Sequence, residues 1–118
     1  MQSTKYNIVA EQAATYQLNI TWNGSDGQPV DLTNFHAKMQ IRLGFNEPDA
    51  IVTVDDSDGI TLGGELGTIA IVISAEQTAL LRAPQVFVYD LRMTNDLGGE
   101  VTRLIEGTFT TIPAVTRG

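Results

Sequence analysis

Cysteine is absent from this sequence, and its absence excludes disulfide bonds and thiolate metal sites. Histidine occurs once, and aromatic residues make up 7% of the chain. No apolar run approaches the ~20 residues that span a membrane, so we expect no membrane partner. Seven basic residues stand against 14 acidic ones, a net charge of −7, and this balance disfavours nucleic acid as a partner.

The length and the first residues indicate how many domains the chain has and whether it begins with a signal peptide. The 118 residues predict one β-sandwich domain over 1–118, with short termini (1–4 and 113–118) that are flexible or docked on a partner. The opening MQSTKYNIVAEQAATY lacks a basic end followed by an apolar stretch, so we expect no signal peptide. Together with the missing cysteines, this fits synthesis in a reducing cytoplasm.

Period-two alternation of apolar and polar residues, bounded by Gly, Pro, Asn and Asp, is the main pattern of the chain. It predicts strands over residues 6–9, 16–22, 35–43, 51–54, 60–62, 68–73, 86–93 and 101–112. One short helix is expected over about 75–82, because Ser74 and Gln77 form a capping box and Pro84 stops the helix. We therefore predict an all-β antiparallel sandwich of about 7–8 strands.

His36 is the first candidate for chemistry. Strand alternation places it with Lys38, Gln40 and Arg42 on a polar, basic face that is the one local exception to the acidic balance. Without a second histidine or a cysteine, a zinc or iron site is not expected. No nucleophile or acid partner for a general base can be identified in the sequence, so we interpret His36 as an ordinary surface or interface residue.

The acidic turn around Gly59 is a candidate for calcium. If Gly59 is the invariant glycine of an EF-hand loop, Asp56, Asp58 and Glu65 fall at the third, fifth and twelfth ligand positions. Val54 then occupies the first position, which needs a carboxylate, so we favour an acidic β-turn. The glycine-rich segment GGELG (63–67) lacks the ending of a phosphate loop and predicts a hairpin.

Three further residues have structural interpretations. Tyr89 lies where immunoglobulin-like sandwiches place a tyrosine that bonds back to a preceding loop, and it is interpreted as a core or corner residue. Asp90, on the opposite face, is expected to pair with Arg92 or Arg103 in exposed contacts worth less than ~1 kcal/mol. Gly107 within the last strand predicts a bulge or a close backbone approach.

Five segments together resemble a known family. They are EQAATYQLNITW, GQPVDLTNFHAKMQIR, GITLGGELGTIAIVISAEQTALL, VYDLRM and GEVTRLIEGTFTTIPAVTR, which cover the chain from about Tyr6 to Arg117. In order and spacing they resemble small β-sandwich virion proteins of phages and prophages. These are tail or baseplate components and N-terminal modules of baseplate and fibre proteins.

The resemblance implies an immunoglobulin-like β-sandwich with a structural, non-enzymatic role and no cofactor. The expected function is a tail or baseplate adaptor or fibre-attachment module, made in the bacterial host cytoplasm and located in the virion. Expected partners are other virion proteins and further copies of this chain. Family members often continue into a longer fibre-forming or receptor-binding region, and because this sequence ends at Gly118 we expect a free-standing adaptor or decoration module.

Protein–protein contact is expected at the edge of the first strand (Thr4 to Val9) and in the tail (Ile112 to Arg117), because strand edges and termini are natural contact sites. The interface candidates are Tyr6, Ile8, Ile112, Val115 and Arg117.

Two alternatives stay open. One is a capsid-decorating or neck protein. The other is a carbohydrate-binding module, which is disfavoured because Tyr6, Tyr16 and Trp22 fall on alternating positions that we expect to be buried, whereas a sugar platform needs exposed rings.

Overall fold

A computed structural model of the protein describes residues 4–114. This part of the chain forms nine strands and one short helix, α1 (Ala75–Ala79). The strands are β1 Thr4–Lys5, β2 Ile8–Glu11, β3 Tyr16–Thr21, β4 Phe35–Arg42, β5 Val52–Asp55, β6 Ile60–Leu62, β7 Thr68–Ile73, β8 Gln85–Asn95 and β9 Val101–Ile112. Within the described residues no helix is long and apolar enough to cross a membrane.

The strands form two sheets. The large sheet has the order β1-β9-β8-β4-β5, with β2 also paired to β9, and the small sheet has the order β3-β7-β6. The predicted all-β sandwich is confirmed. One pairing departs from the antiparallel expectation, since β1 and β2 run parallel to β9. A parallel neighbour needs a long crossover connection, and here the chain from β3 to β8 provides it.

The core lies between the two sheets, where alternate residues of each strand point inward. Its largest fully buried side chains are Phe87, Phe109, Ile8, Leu32, Met39, Ile41, Ile69, Ile71, Ile73, Leu81, Leu91 and Met93. Phe109 of β9 is at its centre, with edge-on ring contacts to Tyr16 of the small sheet and Tyr89 of the large sheet. This ring cluster therefore joins the two sheets.

The N-terminal strand is interrupted. The sequence predicts one strand, but the structure has β1 and β2 separated by Tyr6 and Asn7. Gly107 of β9 lies opposite the interruption, and a Cβ at that position would be 2.5 Å from the carbonyl oxygen of Tyr6. The predicted close backbone approach at Gly107 is confirmed. The register irregularity between β8 and β9 lies elsewhere, between Leu91 and Arg92.

The helix and the glycine-rich hairpin follow the sequence signals, with one difference. The Ser74 hydroxyl accepts a hydrogen bond from the Gln77 amide at 3.1 Å, and the Gln77 side chain accepts one from the Ser74 amide, so the capping box is confirmed. The helix ends at Ala79 and not at residue 82, because the next two amides bond carbonyls three residues back and tighten the last turn. Residues 63–67 join β6 to β7 as predicted, through a 3-10 turn.

Candidate functional site

His36 lies between two carboxylates. Its Nδ1 is 2.8 Å from Oδ2 of Asp56, and its Nε2 is 2.7 Å from Oδ2 of Asp96. Asp56 follows β5 and is fixed by the Ala37 amide, which donates to its Oδ1 at 3.2 Å. Asp96 starts the β8–β9 hairpin, and its amide donates to the carbonyl of Asn34. The histidine therefore joins β4, the β5–β6 turn and the β8–β9 hairpin at one end of the sandwich.

The hydrogen bonds of His36 define its charge. Both ring nitrogens can donate to carboxylates only when the ring is an imidazolium. Hydrogen bonds to Asp56 and then Asp96, followed by the charges of these carboxylates, raise the pKa of His36 above its usual value. Burial acts to raise the pKa of Asp56, but the His36 hydrogen bond and the Ala37 amide together bring it below its usual value. Below this raised pKa the group is thus a charged bridge.

This arrangement agrees with one part of the sequence interpretation and adds what it missed. His36 is exposed, as predicted. Its partners lie 20 and 60 residues away, and no local pattern links them to it. An imidazolium that already donates both N–H groups has no free lone pair, so this geometry does not favour a general base.

The calcium candidates do not come together as ligands. Asp56 is engaged by His36, and the neighbouring Asp55 carboxylate accepts the Ser57 amide in a local turn. Asp58 is exposed in the same turn, and Glu65 lies in the 3-10 turn before β7. Across residues 4–114 no group of three such side chains is placed to hold a metal ion. The observed geometry therefore does not favour calcium, and the acidic β-turn describes these residues.

The outer face of the large sheet is charged. Asp90 Oδ2 lies 3.3 Å from Nε of Arg103 and 3.4 Å from Nε of Arg92, so the predicted pairing is confirmed with both arginines. Arg42 donates to the Gln40 side chain at 2.8 Å. These residues line a shallow cleft of about 200 Å³ across β4, β8 and β9. The basic face predicted from β4 thus extends over three strands.

The N-terminal edge contains some of the predicted contact residues. Tyr6 and Ile112 are 45% and 44% exposed, so both are accessible. Ile8 is 2% exposed because its side chain points into the core, and the prediction that it forms a surface contact is wrong. The exposed neighbour is Val9, at 62%, which sequence reasoning missed although it alternates with Ile8. Val115 and Arg117 lie outside the described residues.

Tyr89 fixes this edge to the sandwich. Its hydroxyl donates to the carbonyl oxygen of Tyr6, at the interruption between β1 and β2. The side chain is buried, and burial raises the pKa of its phenol far above the usual value. Tyr89 is a core residue as predicted, but its hydrogen bond goes to the N-terminal strand and not to the loop before β8.

The aromatic side chains do not form a flat exposed platform in the described part of the chain. Trp22 is half-buried and packs edge-on against Phe35, with ring centroids 5.5 Å apart. Tyr16 is half-buried against Phe109 at 5.8 Å. Tyr6 was expected to be buried and is exposed, at the interruption between β1 and β2. A carbohydrate platform built from these rings is not favoured.

The comparisons with known proteins identify the fold. The structure is similar to a chicken TCR, with a TM-score of 0.57 and 12% sequence identity, over 95% of this chain and 55% of that chain. The fold is therefore an immunoglobulin-like β-sandwich, as the sequence resemblance implied. The chain spans about half the length of the TCR chain. No family model and no curated protein matches the sequence.

Proposed function

We propose that this protein is a structural component of a bacteriophage virion, a tail or baseplate adaptor or fibre-attachment module that acts by protein–protein contact. Two things support the proposal. Five segments between Tyr6 and Arg117 resemble virion β-sandwich proteins in order and spacing. The immunoglobulin-like sandwich is the fold that this resemblance implies.

The observation that carries a contact role is the N-terminal edge of the large sheet. β2 pairs with β9 on one side, and the described residues place no strand on its other side. The amides of Tyr6 and Gln12 donate hydrogen bonds to carbonyl oxygens of β9. Because backbone groups point to alternate sides along a strand, the N–H and C=O groups of Val9 point away from β9. Val9, Tyr6 and Ile112 surround this edge with exposed apolar side chains. A partner strand can add here through backbone hydrogen bonds.

Composition and imaging of purified particles test this function. Mass spectrometry of particles from the phage or prophage that encodes the gene is expected to detect the protein at a fixed copy number, and cryo-EM to place it on the tail or baseplate. Absence from the particles would overturn the proposal. Density on the capsid or neck would overturn the tail assignment in favour of a decoration or neck role.

A pair of variants tests the edge. Val9→Asp places a charge in the proposed contact and is expected to reduce incorporation into particles at least tenfold. Val72→Asp, on the exposed face of β7 in the small sheet, changes the net charge equally and is expected to incorporate normally. Equal incorporation of both variants would contradict the edge contact.

A further inference from the structure

Three cations form a row on the outer face of the large sheet. Lys38 of β4 is directly opposite Arg92 of β8, and Arg92 is directly opposite Arg103 of β9. Like charges at directly opposite positions repel, and Asp90 is the carboxylate that pairs with both arginines. We call Lys38, Arg92 and Arg103 the basic row. Lys38 also lies opposite Asp55 of β5, and Arg103 is 3.9 Å from Glu106, so each end of the row has an acidic neighbour within the chain.

A group of carboxylates lies next to the basic row. The β5–β6 turn and the β8–β9 hairpin meet at His36, and we call their five acidic residues the acidic end: Asp55, Asp56, Asp58, Asp96 and Glu100. Asp58, Asp96 and Glu100 are exposed. One shallow cleft is lined by members of both groups, which shows that they adjoin on the same face.

We infer that this face binds a second copy of the chain in a two-fold symmetric dimer. A two-fold contact brings the same patch of both copies together, so the patch must be complementary to itself. In this dimer the large sheets of the two copies face each other, and the two-fold axis lies between them and crosses the strands near His36. This arrangement places the basic row of each copy on the acidic end of the other. Each contact between opposite charges is then made twice. Because both copies use the same patch, no third copy can add through it, and the assembly stops at a dimer.

The extent of the face fits a dimer. β4 and β8 have 8 and 11 residues. Strands rise about 3.3 Å per residue and neighbouring strands lie about 4.8 Å apart, so the outer face of the five-stranded sheet has an area of roughly 600 Å². The β5–β6 turn and the β8–β9 hairpin add to this area. A specific interface of standard size buries roughly 800 Å² per partner. The contact is mainly charged, so we expect its strength to depend strongly on salt.

A charge-exchange experiment tests the dimer on the purified chain. Sedimentation equilibrium and light scattering are expected to give twice the 12.8 kDa mass of one chain at low salt. Raising the ionic strength from ~0.1 M to ~1 M shortens the screening length from about 10 Å to about 3 Å. We expect this change to weaken the association at least tenfold. A wild-type chain that stays monomeric at millimolar concentration in low salt would overturn the inference.

Two double variants identify the contact. Lys38→Glu with Arg92→Glu makes the basic row acidic, and Asp58→Lys with Glu100→Lys reverses two of the three exposed carboxylates of the acidic end. Each alone is expected to be monomeric, because like charges then meet. Their equimolar mixture is expected to form a one-to-one dimer, since both contacts become complementary again.

The matched control changes charge elsewhere. Arg82→Glu with Asn19→Glu and Thr21→Glu changes the net charge by the same amount, at exposed positions after the helix and on the outer face of the small sheet, and we expect it to dimerise like the wild type. Failure of the mixture to associate, or equal loss of dimer in the control, would overturn the inference. Circular dichroism of each variant establishes that it folds. The dimer does not depend on the proposed virion role, so particle composition and self-association can fail separately.

Discussion

The Nε2 of His36 lies 2.7 Å from Oδ2 of Asp96, although the two residues are 60 positions apart in the chain. On its other side the same ring is 2.8 Å from Asp56. One exposed imidazolium thereby fastens the β8–β9 hairpin to the turn after β5. Without it, two carboxylates at this end of the sandwich would face each other with no cation between them.

The pH dependence of stability follows from this bridge. The pKa of His36 is raised in the folded state, so its contribution to stability is complete below the unfolded value of 6.5 and is lost as pH rises through the folded value. The pKa of Asp56 is lowered, so its contribution is complete above 3.8 and is lost as pH falls through the folded value. Urea unfolding between about pH 2 and about pH 9 measures both. His36→Gln is expected to flatten the alkaline side of the profile, and an unchanged profile in that variant would contradict the bridge.

Gly107 is expected to be intolerant of a side chain. In Gly107→Ala the new methyl group meets the Tyr6 carbonyl at 2.5 Å, so β1 and β2 have to shift away from β9. We expect a loss of about 1–3 kcal/mol in the free energy of unfolding, the range for overpacked sites. Gly44→Ala is the control, because a Cβ there meets nothing within 4 Å. Equal effects of the two substitutions in urea unfolding would disprove the close approach.

Removing the Tyr89 hydroxyl tests how the N-terminal strand is held. Tyr89→Phe keeps the buried ring and leaves the Tyr6 carbonyl without this donor. The expected cost is about 0.5–1.5 kcal/mol, the net value of one hydrogen bond. Hydrogen exchange is expected to accelerate first in β1 and β2. Because Tyr89→Phe and Gly107→Ala act on the same carbonyl, their effects are expected to be non-additive, and simple additivity would count against a shared site.

Phe109 is expected to be the costliest single truncation in the ring cluster. It is fully buried and contacts rings from both sheets. Phe109→Ala should therefore lower the free energy of unfolding by about 3–5 kcal/mol. Phe45→Ala removes the same atoms from a ring that is 81% exposed, and it should change little. Chemical denaturation of both variants gives the comparison, and similar losses would contradict the placement of the core.

Local patterns in the sequence predicted the strands but not all of their neighbours. Alternation located β3, β4 and β7–β9 to within a few residues, because a half-buried strand imposes a period of two. The parallel pairing of β2 with β9 was missed, since periodicity reports which face is buried and not which strand lies alongside. Ile8 was misplaced for a different reason: Ile8 and Val9 are both apolar, so alternation did not decide which of them points inward.

The candidate site depended even more on distant contacts. The basic face was visible from Lys38 and Arg42, because they alternate within one strand. Its alignment with Arg92 and Arg103 depends on the register of three strands, which single-strand patterns do not contain. The carboxylates around His36 come from two turns, so sequence reasoning had no reason to join them.

The parallel pairing of the first and last strands has a mechanical consequence. Thr4 lies beside Ile105 and Glu11 beside Ile112, so the described chain enters at one end of the shared ladder and leaves at the other. Tension applied across the domain would slide β1 and β2 along β9 and load their hydrogen bonds together, in shear, instead of opening them one after another. Single-molecule pulling would therefore meet its main resistance at this pair of strands, with Gly107 and Tyr89 at the point where they are fastened.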